Sequence, residues 1–349
     1  VFRYFSIFTG VGGFELGFER ANHSQSKIQE PKTEQDSSNI GRNELEGTAF
    51  NCIGFSEIDK YCNQVLRYRF PEIRNYGDAT KIDPRELPDF DLLCGGFPCQ
   101  AFSIAGKRRG FKDTRGTLFF EIARILEFKR PKIVFLENVK GLLNHEKGKT
   151  FRIILQTLDE LGYDIQWMVL NSKFFGVPQN RERVFIIGNL RGKSRPEILP
   201  FREDAGKIQG ASGEEIVRPT LTSHGETSCS IPTPMVAESK PKQIVGTLSA
   251  TDYKQPKQIF DSLHGFGHGW QGYHTYKMFK QGILRRLTPI ECERLQGFPD
   301  DWTKYGINEK GEIVEMSDTQ RYKMMGNAVT INVIEAIAKK LIYIKPKNI

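Results

Sequence analysis

The sequence predicts an α/β fold in which a mostly parallel sheet flanked by helices is joined to a smaller, loop-rich unit. Three observations predict it. Short apolar runs alternate with helix-like stretches from Arg3 to Gly188, a glycine turn follows the first run, and residues 191–282 shift to Gly, Pro, Ser, Thr and Lys. The alternation reads as βαβ units. The compositional shift, with few helical periods, marks the second unit.

Tyr4-Phe5-Ser6-Ile7-Phe8 is the first strand, and it runs into Thr9-Gly10-Val11-Gly12-Gly13-Phe14-Glu15-Leu16-Gly17. Glycines there let a ligand approach the backbone closely. Glu15 stands where the third glycine of a dinucleotide fingerprint would fall, which weakens a nicotinamide reading. Taken alone, such a turn is as readily a tight connection. Residues 22–47 hold almost no apolar side chains and predict a mobile surface insertion without chemistry. Ile53-Gly54-Phe55, Asp91-Leu92-Leu93-Cys94, Ile133-Val134-Phe135-Leu136 and Val184-Phe185-Ile186-Ile187 predict further strands, and residues 118–128 and 150–161 predict helices. Thr288 can cap a helix that Pro289 opens, and residues 331–342 predict another.

A chain of 349 residues with 38% hydrophobic and 26% charged side chains has the composition of a globular protein. No apolar run approaches the roughly 18 residues of a membrane span. The opening strand has neither the basic start nor the cleavage site of a secretory leader, and a first residue other than Met fits a trimmed chain. The six cysteines show no zinc-like spacing and no disulfide framework, so neither metal nor an oxidising compartment is expected. A formal charge of +8 favours a polyanionic partner, although charge alone does not decide it.

Glu57 and Asp78 follow candidate strands, where carboxylates suit ribose hydroxyls and an adenine amine, with Phe8 offering a face to the ring. Each by itself is more commonly a plain surface acid, and the order of glycine turn, acid and acid is what favours the functional reading. The segment from Phe90 to Ser103 ends a strand in Gly95-Gly96-Phe97-Pro98-Cys99, presenting Cys99 at a strand's carboxyl end, where a thiolate can act as nucleophile. A lone cysteine is more commonly a small buried apolar group. Lys107, Arg108, Arg109, Lys112 and Arg115 lie among glycines directly after it, as a phosphate-binding lid or a solvated basic loop.

Gly96-Phe97-Pro98-Cys99-Gln100, Glu137-Asn138-Val139 and Gln179-Asn180-Arg181-Glu182-Arg183 resemble, in order and spacing, the motifs of the bacterial C5-cytosine DNA methyltransferases. Arg286-Leu287-Thr288-Pro289 through Asp300, and Met325-Gly326-Asn327-Ala328-Val329, resemble the family's C-terminal motifs. Residues 22–47, 303–317 and most of 191–282 match weakly.

The resemblance implies a Rossmann-like, S-adenosylmethionine-dependent methyltransferase. Cys99 would add to C6 of the target cytosine and Glu137 would hold N3 and the exocyclic amine, with Arg183 and, more weakly, Arg181 near O2. The cofactor would meet Phe8, Gly10, Val11, Gly13, Glu57, Ile58, Asp78, Ala79, Pro98, Leu118, Asn327 and Ala328. Ile58 departs from the aromatic of some relatives and puts stacking there in doubt. Ser103, Lys107, Arg108, Arg109, Arg115, Gln179 and Thr247 would meet DNA, the basic run closing once the base has left the stack. Of two Thr-Leu pairs, Thr247-Leu248 is preferred over Thr220-Leu221 as the recognition signal.

Residues 1–189, completed by 320–349, are expected to form the catalytic and cofactor-binding domain, and 190–319 the target recognition domain. The resemblance implies double-stranded DNA as partner, S-adenosyl-L-methionine as cofactor, no membrane and no metal. It further implies a monomer in the cytoplasm of a prokaryote or a phage host, with room for a cognate restriction endonuclease encoded separately. The recognised DNA sequence is not legible. A tRNA cytosine methyltransferase on the same scaffold is the alternative. A non-catalytic DNA-binding relative has no need of Cys99, Glu137 and Arg183 together, and a nicotinamide dehydrogenase lacks the glycine spacing.

Overall fold

In the computed structural model, residues 1–26, 49–98, 118–192, 198–199, 245–246, 277–280 and 283–343 are described. The strands are β1 (Phe2–Ile7), β2 (Phe50–Ser56), β3 (Leu92–Gly96), β4 (Ile133–Val139), β5 (Tyr163–Asn171), β6 (Gln179–Asn180), β7 (Glu182–Leu190), β8 (Val245–Gly246), β9 (Lys277–Lys280), β10 (Ile283–Arg286), β11 (Tyr305–Ile307) and β12 (Ile313–Glu315). The helices are α1 (Gly13–Ser26), α2 (Lys60–Arg69), α3 (Leu118–Lys129), α4 (Lys149–Glu160), α5 (Pro289–Leu295), α6 (Asp318–Asn327) and α7 (Ile331–Tyr343).

Six strands form the central sheet in the order β2-β1-β3-β4-β7-β5. The pairs from β2 through β4 are parallel, and β7 runs antiparallel to both β4 and β5. Strands buried on both faces read as unbroken apolar runs, which is why the sequence patterns of β3 and β4 were so clear. Successive side chains go to opposite faces. Phe5, Leu93, Val134, Leu136 and Ile186 join α3 and α4 in one core cluster. Tyr4, Leu92, Cys94, Phe135 and Ile187 join α1 and α7 in the other. A Cβ on Gly17 would stand 2.5 Å from Ile334 Cγ2, so this glycine lets α7 lie close against α1.

Two expectations change. The first helix runs on to Ser26, into the presumed insertion, because its Asn22 side chain accepts from Ala49 N and Phe50 N and donates to Phe50 O, clamping the start of β2. Residues 27–48 lie outside the described set. Residues 287–316, assigned from sequence to the second unit, share a buried cluster with Val11, Leu16, Cys62 and Val65 of the first. Apolar side chains of α5, Trp302 and Met316 close that cluster, and the β11–β12 hairpin approaches α2 so closely that a Cβ on Gly306 would meet the Gln64 backbone at 2.8 Å. Thr288 caps α5 with a reciprocal Glu291 contact and Pro289 in its first turn, as its sequence predicts. Among the described residues no helix is long and apolar enough to cross a membrane.

A buried ion pair holds this added segment together. Glu293, fully buried, accepts from Arg321 at 3.1 and 3.2 Å and from Thr303 N at 2.8 Å. Removing the cation would strand a desolvated carboxylate. Arg321→Met is expected to lower stability by about 3 kcal/mol or more, and Arg321→Met with Glu293→Met to recover much of that loss. Urea unfolding of these variants and of Glu293→Met alone checks this, and a double variant that loses as much as the two single variants together would show that the pair is not coupled.

Candidate active site

The carboxyl ends of β1 to β4 bring together most of the residues that the sequence singles out. β1 runs out into Phe8, the residue after its end and a non-glycine residue with φ 58°, followed by Gly10 at φ 63° and Gly12 at φ 86°. Left-handed backbone of this kind favours glycine, so the two glycines fit the turn and Phe8 is held there by its surroundings. Gly10 N donates to Glu57 Oε2 at 2.7 Å, tying the turn to the end of β2. Glu57 Oε1 accepts from Ile58 N at 2.8 Å and Asp59 N at 2.7 Å. Burial pushes the Glu57 carboxyl upward, against the pull of these three amides. Asp78 accepts from the Thr80 hydroxyl at 2.8 Å and from Thr80 N at 3.0 Å, and the hydroxyl above all holds its pKa below the usual carboxylate range.

Phe8, Ser56, Glu57, Ile58, Asp78, Ala79 and Leu118 line one cleft. Six of these seven are residues expected at the cofactor. Ile58 is 69% exposed and offers an open aliphatic wall. Val11 differs from expectation: its side chain is buried in the third core cluster, and its carbonyl accepts from Trp302 Nε1 at 2.8 Å. Gly13 backs onto the C-terminal motif, since a Cβ there would stand 2.6 Å from Val329 Cγ2. Pro98 is exposed, as is Asn327, while Ala328 is buried.

The second group lies at the end of β4. Glu137 is 8% exposed and accepts from Arg183 Nε at 3.0 Å. Because β7 runs backwards, its first residues arrive at the carboxyl end of β4, where Val139 pairs with Arg183. Burial pushes the Glu137 carboxyl up, while Arg183 and Arg181 pull it back. A Cβ on Gly96 would stand 2.9 Å from Glu137 Oε2, so this carboxyl lies directly against the backbone that leads to Cys99. Cys99 itself, with Ser103, Lys107, Arg108, Arg109, Arg115, Thr247 and the pair Thr220-Leu221, lies outside the described residues.

Arg181 and Gln179 are placed otherwise than the sequence suggested. Arg181 is 1% exposed, and its guanidinium donates to Gly326 O at 3.1 Å and Ala328 O at 2.8 Å. Gln179, expected at DNA, is fully buried and donates to Leu295 O and Gln296 Oε1. Both brace the C-terminal segment instead of facing solvent. Sequence reasoning passed over Asn138, whose Nδ2 donates to Phe97 O at 2.8 Å while its Oδ1 accepts from Val139 N. It pins the loop entering Cys99. The only signal was its place within Glu137-Asn138-Val139. Among the described residues no group of His, Cys, Asp and Glu could hold a metal ion.

A profile of C-5 cytosine-specific DNA methylases matches residues 2–343. The chain is 34% identical to the Type II methyltransferase M1.ScrFI of Lactococcus lactis subsp. cremoris, over 99% of this chain and 79% of that protein. It is 35% identical to M.SsoII of Shigella sonnei, over 98% and 80%, and 32% identical to M.HhaI of Haemophilus parahaemolyticus, over 96% and 93%. Among solved structures it is similar in fold to the Dnmt2 methyltransferase of S. pombe, with a TM-score of 0.60 at 16% identity over 98% of each chain. A DNMT2 mutant from Spodoptera frugiperda aligns with a TM-score of 0.59 at 17% identity, over 98% of this chain and 100% of that one.

Behind the glycine turn, Glu15 is 2% exposed. Burial pushes its pKa up to about 7, with the Ser6 hydroxyl pulling down and Glu57 adding to the rise. An unfolded glutamate titrates near 4.3. Between these values the native protein keeps a proton that the unfolded chain releases, so stability is lost as pH rises from about 4.5 to about 7. At 1.36 kcal/mol per unit the loss is about 3 kcal/mol. Glu15→Gln should therefore unfold in urea like the parent near pH 4.5 and grow progressively more stable than it toward pH 8. Parallel stability curves for the two proteins would refute the assignment.

Proposed function

Because the chain belongs to the C-5 cytosine-specific DNA methylase family and is a DNA cytosine-5 methyltransferase, we propose that it acts on a cytosine turned out of duplex DNA. Cys99 then bonds covalently to C6 of the base, and S-adenosylmethionine is the methyl donor. The observation that carries this reading is the seat of Glu137, buried, paired with Arg183 and pressed against Gly96 just before Cys99.

Cytosine C5 is a poor nucleophile in the aromatic ring. When the Cys99 thiolate forms a bond to C6, the C5–C6 π pair becomes enamine density, and N3 is protonated or hydrogen-bonded by the Glu137 carboxyl. A carboxyl that burial makes more reluctant to ionise is suited to hold that proton. Arg183 orients the carboxyl and offers donors toward O2 of the base. After C5 is methylated, loss of the C5 proton to a base restores the double bond and expels the thiolate, and N3 returns its proton to Glu137. Flipping is required because stacked neighbours cover C6.

The cleft fits an adenosine group. Glu57 has one amide on Oε2 and retains acceptor capacity for ribose hydroxyls. Asp78 suits the adenine amine, and Phe8, Ile58 and Leu118 give apolar walls. Bound there, S-adenosylmethionine supplies an electrophilic methyl group. Gly10, Gly13, Ala79, Pro98, Asn327 and Ala328 complete its surroundings. Arg181 acts as a brace for the C-terminal segment and adds positive charge near Glu137.

Ser103, Lys107, Arg108, Arg109 and Arg115 contact phosphates, so binding weakens steeply with salt. Residues between β7 and α5, Thr247 among them, read the target sequence. The Type II names of the curated relatives support a restriction-modification setting, with the protein in the cytoplasm of its host and a partner endonuclease encoded separately. The chain works as a monomer on double-stranded DNA.

Incubation with S-adenosylmethionine and unmethylated genomic DNA, followed by base-resolution sequencing, is expected to find 5-methylcytosine confined to one short motif. Cofactor binding without DNA methylation would move the substrate to RNA or point to a missing partner. Cys99→Ser is expected to abolish turnover while S-adenosylmethionine binds as before, and loss of both would make the thiol structural.

A further inference from the structure

The two carboxylates of the cleft sit on different segments, Glu57 after β2 and Asp78 at the start of the turn Ala79–Lys81. An adenosine held by both needs their separation fixed before it binds. Residues 74–77 run beside the end of β2: Phe55 N donates to Arg74 O at 3.1 Å, and Tyr76 N donates to Phe55 O at 2.8 Å. That pairing stops short of Glu57 and Asp78.

Asn75 extends it with its side chain. Its Oδ1 accepts from Glu57 N at 3.1 Å and from Gly77 N at 2.9 Å. Its Nδ2 donates to Glu57 O at 3.1 Å and to Asn63 Oδ1 at 2.8 Å. Asn63 Nδ2 in turn donates to Glu57 O at 3.2 Å. Both donors and both acceptor sites of one carboxamide are thus spent, three on the backbone of Glu57 and Gly77 and the fourth on Asn63, which is itself tied to the Glu57 carbonyl. The residue is solvent-exposed, where water would satisfy it equally well, and it does not line the cleft. A side chain committed in this way does nothing for burial and stands outside the cleft lining. What it does is fasten the Glu57 backbone to the residue preceding Asp78, with the Ser56 hydroxyl donating to Gly77 O at 2.6 Å as a second tie.

We propose that Asn75 is a positioning residue for the cofactor, holding Glu57 and Asp78 at the spacing an adenosine group requires. The inference rests on the reading of the cleft as the cofactor site. An aspartate could not replace it fully, because its second oxygen would face the Glu57 carbonyl and Asn63 Oδ1 as one acceptor against two others. Without the tie, the ordering of the two segments is deferred to the moment of binding and subtracts from affinity.

Calorimetric titration of the full chain with S-adenosylhomocysteine, which carries the same adenosine, tests this. Glu57→Gln should weaken binding; unchanged affinity would defeat the reading of the cleft and the inference with it. Asn75→Ala should raise the dissociation constant about tenfold, the equivalent of one or two hydrogen bonds, with duplex DNA affinity unchanged. Asn75→Asp, which keeps the two accepted bonds, should fall between Ala and the parent. In the Glu57→Gln background Asn75→Ala should add little, since it acts through Glu57. With the cleft reading intact, a lower melting temperature at unchanged affinity, equal losses for ligand and DNA, or full additivity with Glu57→Gln would each overturn the proposal.

Discussion

The site depends on a cation that never meets solvent. Arg181 lies between β6 and β7 with its guanidinium on the carbonyl oxygens of Gly326 and Ala328, the last turn and cap of α6. A buried charge is expensive unless its donors are satisfied, and the carbonyls at a helix C-terminus are a favourable place to satisfy them. Gln179 makes the matching contact to the end of α5. These two residues fix where the chain returns after α6, and that return sets Val329 against Gly13 and lays α7 along α1. The back of the glycine turn is therefore built from residues more than 300 positions away in the sequence.

Strand direction does the rest. Parallel β1 to β4 deliver Phe8, Glu57, the approach to Cys99, and Glu137 to one edge of the sheet. A parallel strand in the place of β7 would carry Arg183 to the opposite edge. Running antiparallel, β7 begins where β4 ends, and the Glu137–Arg183 pair follows from that geometry. Asn138 and Gly96 then make the pairing tight, one by holding the Phe97 carbonyl and the other by leaving no side chain between the carboxyl and the β3 backbone.

The cofactor turn is also supported from the side. Trp302 donates to the Val11 carbonyl, and Lys323 reaches Asp59, which caps α2, at 3.0 Å. Residues 287–316 consequently belong to the packing of the catalytic unit, and the weakly matching stretch 303–317 contains the β11–β12 hairpin seated on α2. Polar, short segments such as α2 and this hairpin left little trace in the sequence, because what stabilises them is a neighbour contributed from elsewhere in the chain.

Local pattern determined five of the six central strands, all but β5, together with the helices α3, α4 and α7, the capped start of α5 and the glycine turn. Each carries its own periodicity or capping chemistry within a few residues. The family resemblance also named six of the seven residues that line the cleft, and both Glu137 and Arg183, although not the ion pair between them. Tertiary structure alone decided that Arg181 and Gln179 are internal braces, that Val11 turns its side chain away from the cleft, that Glu15 is buried, and that Asn75 joins the two acids. A sequence records which polar group is present. Whether that group faces solvent, a carbonyl or an apolar core is set by segments distant along the chain, and burial and hydrogen-bond geometry emerge only when those segments pack.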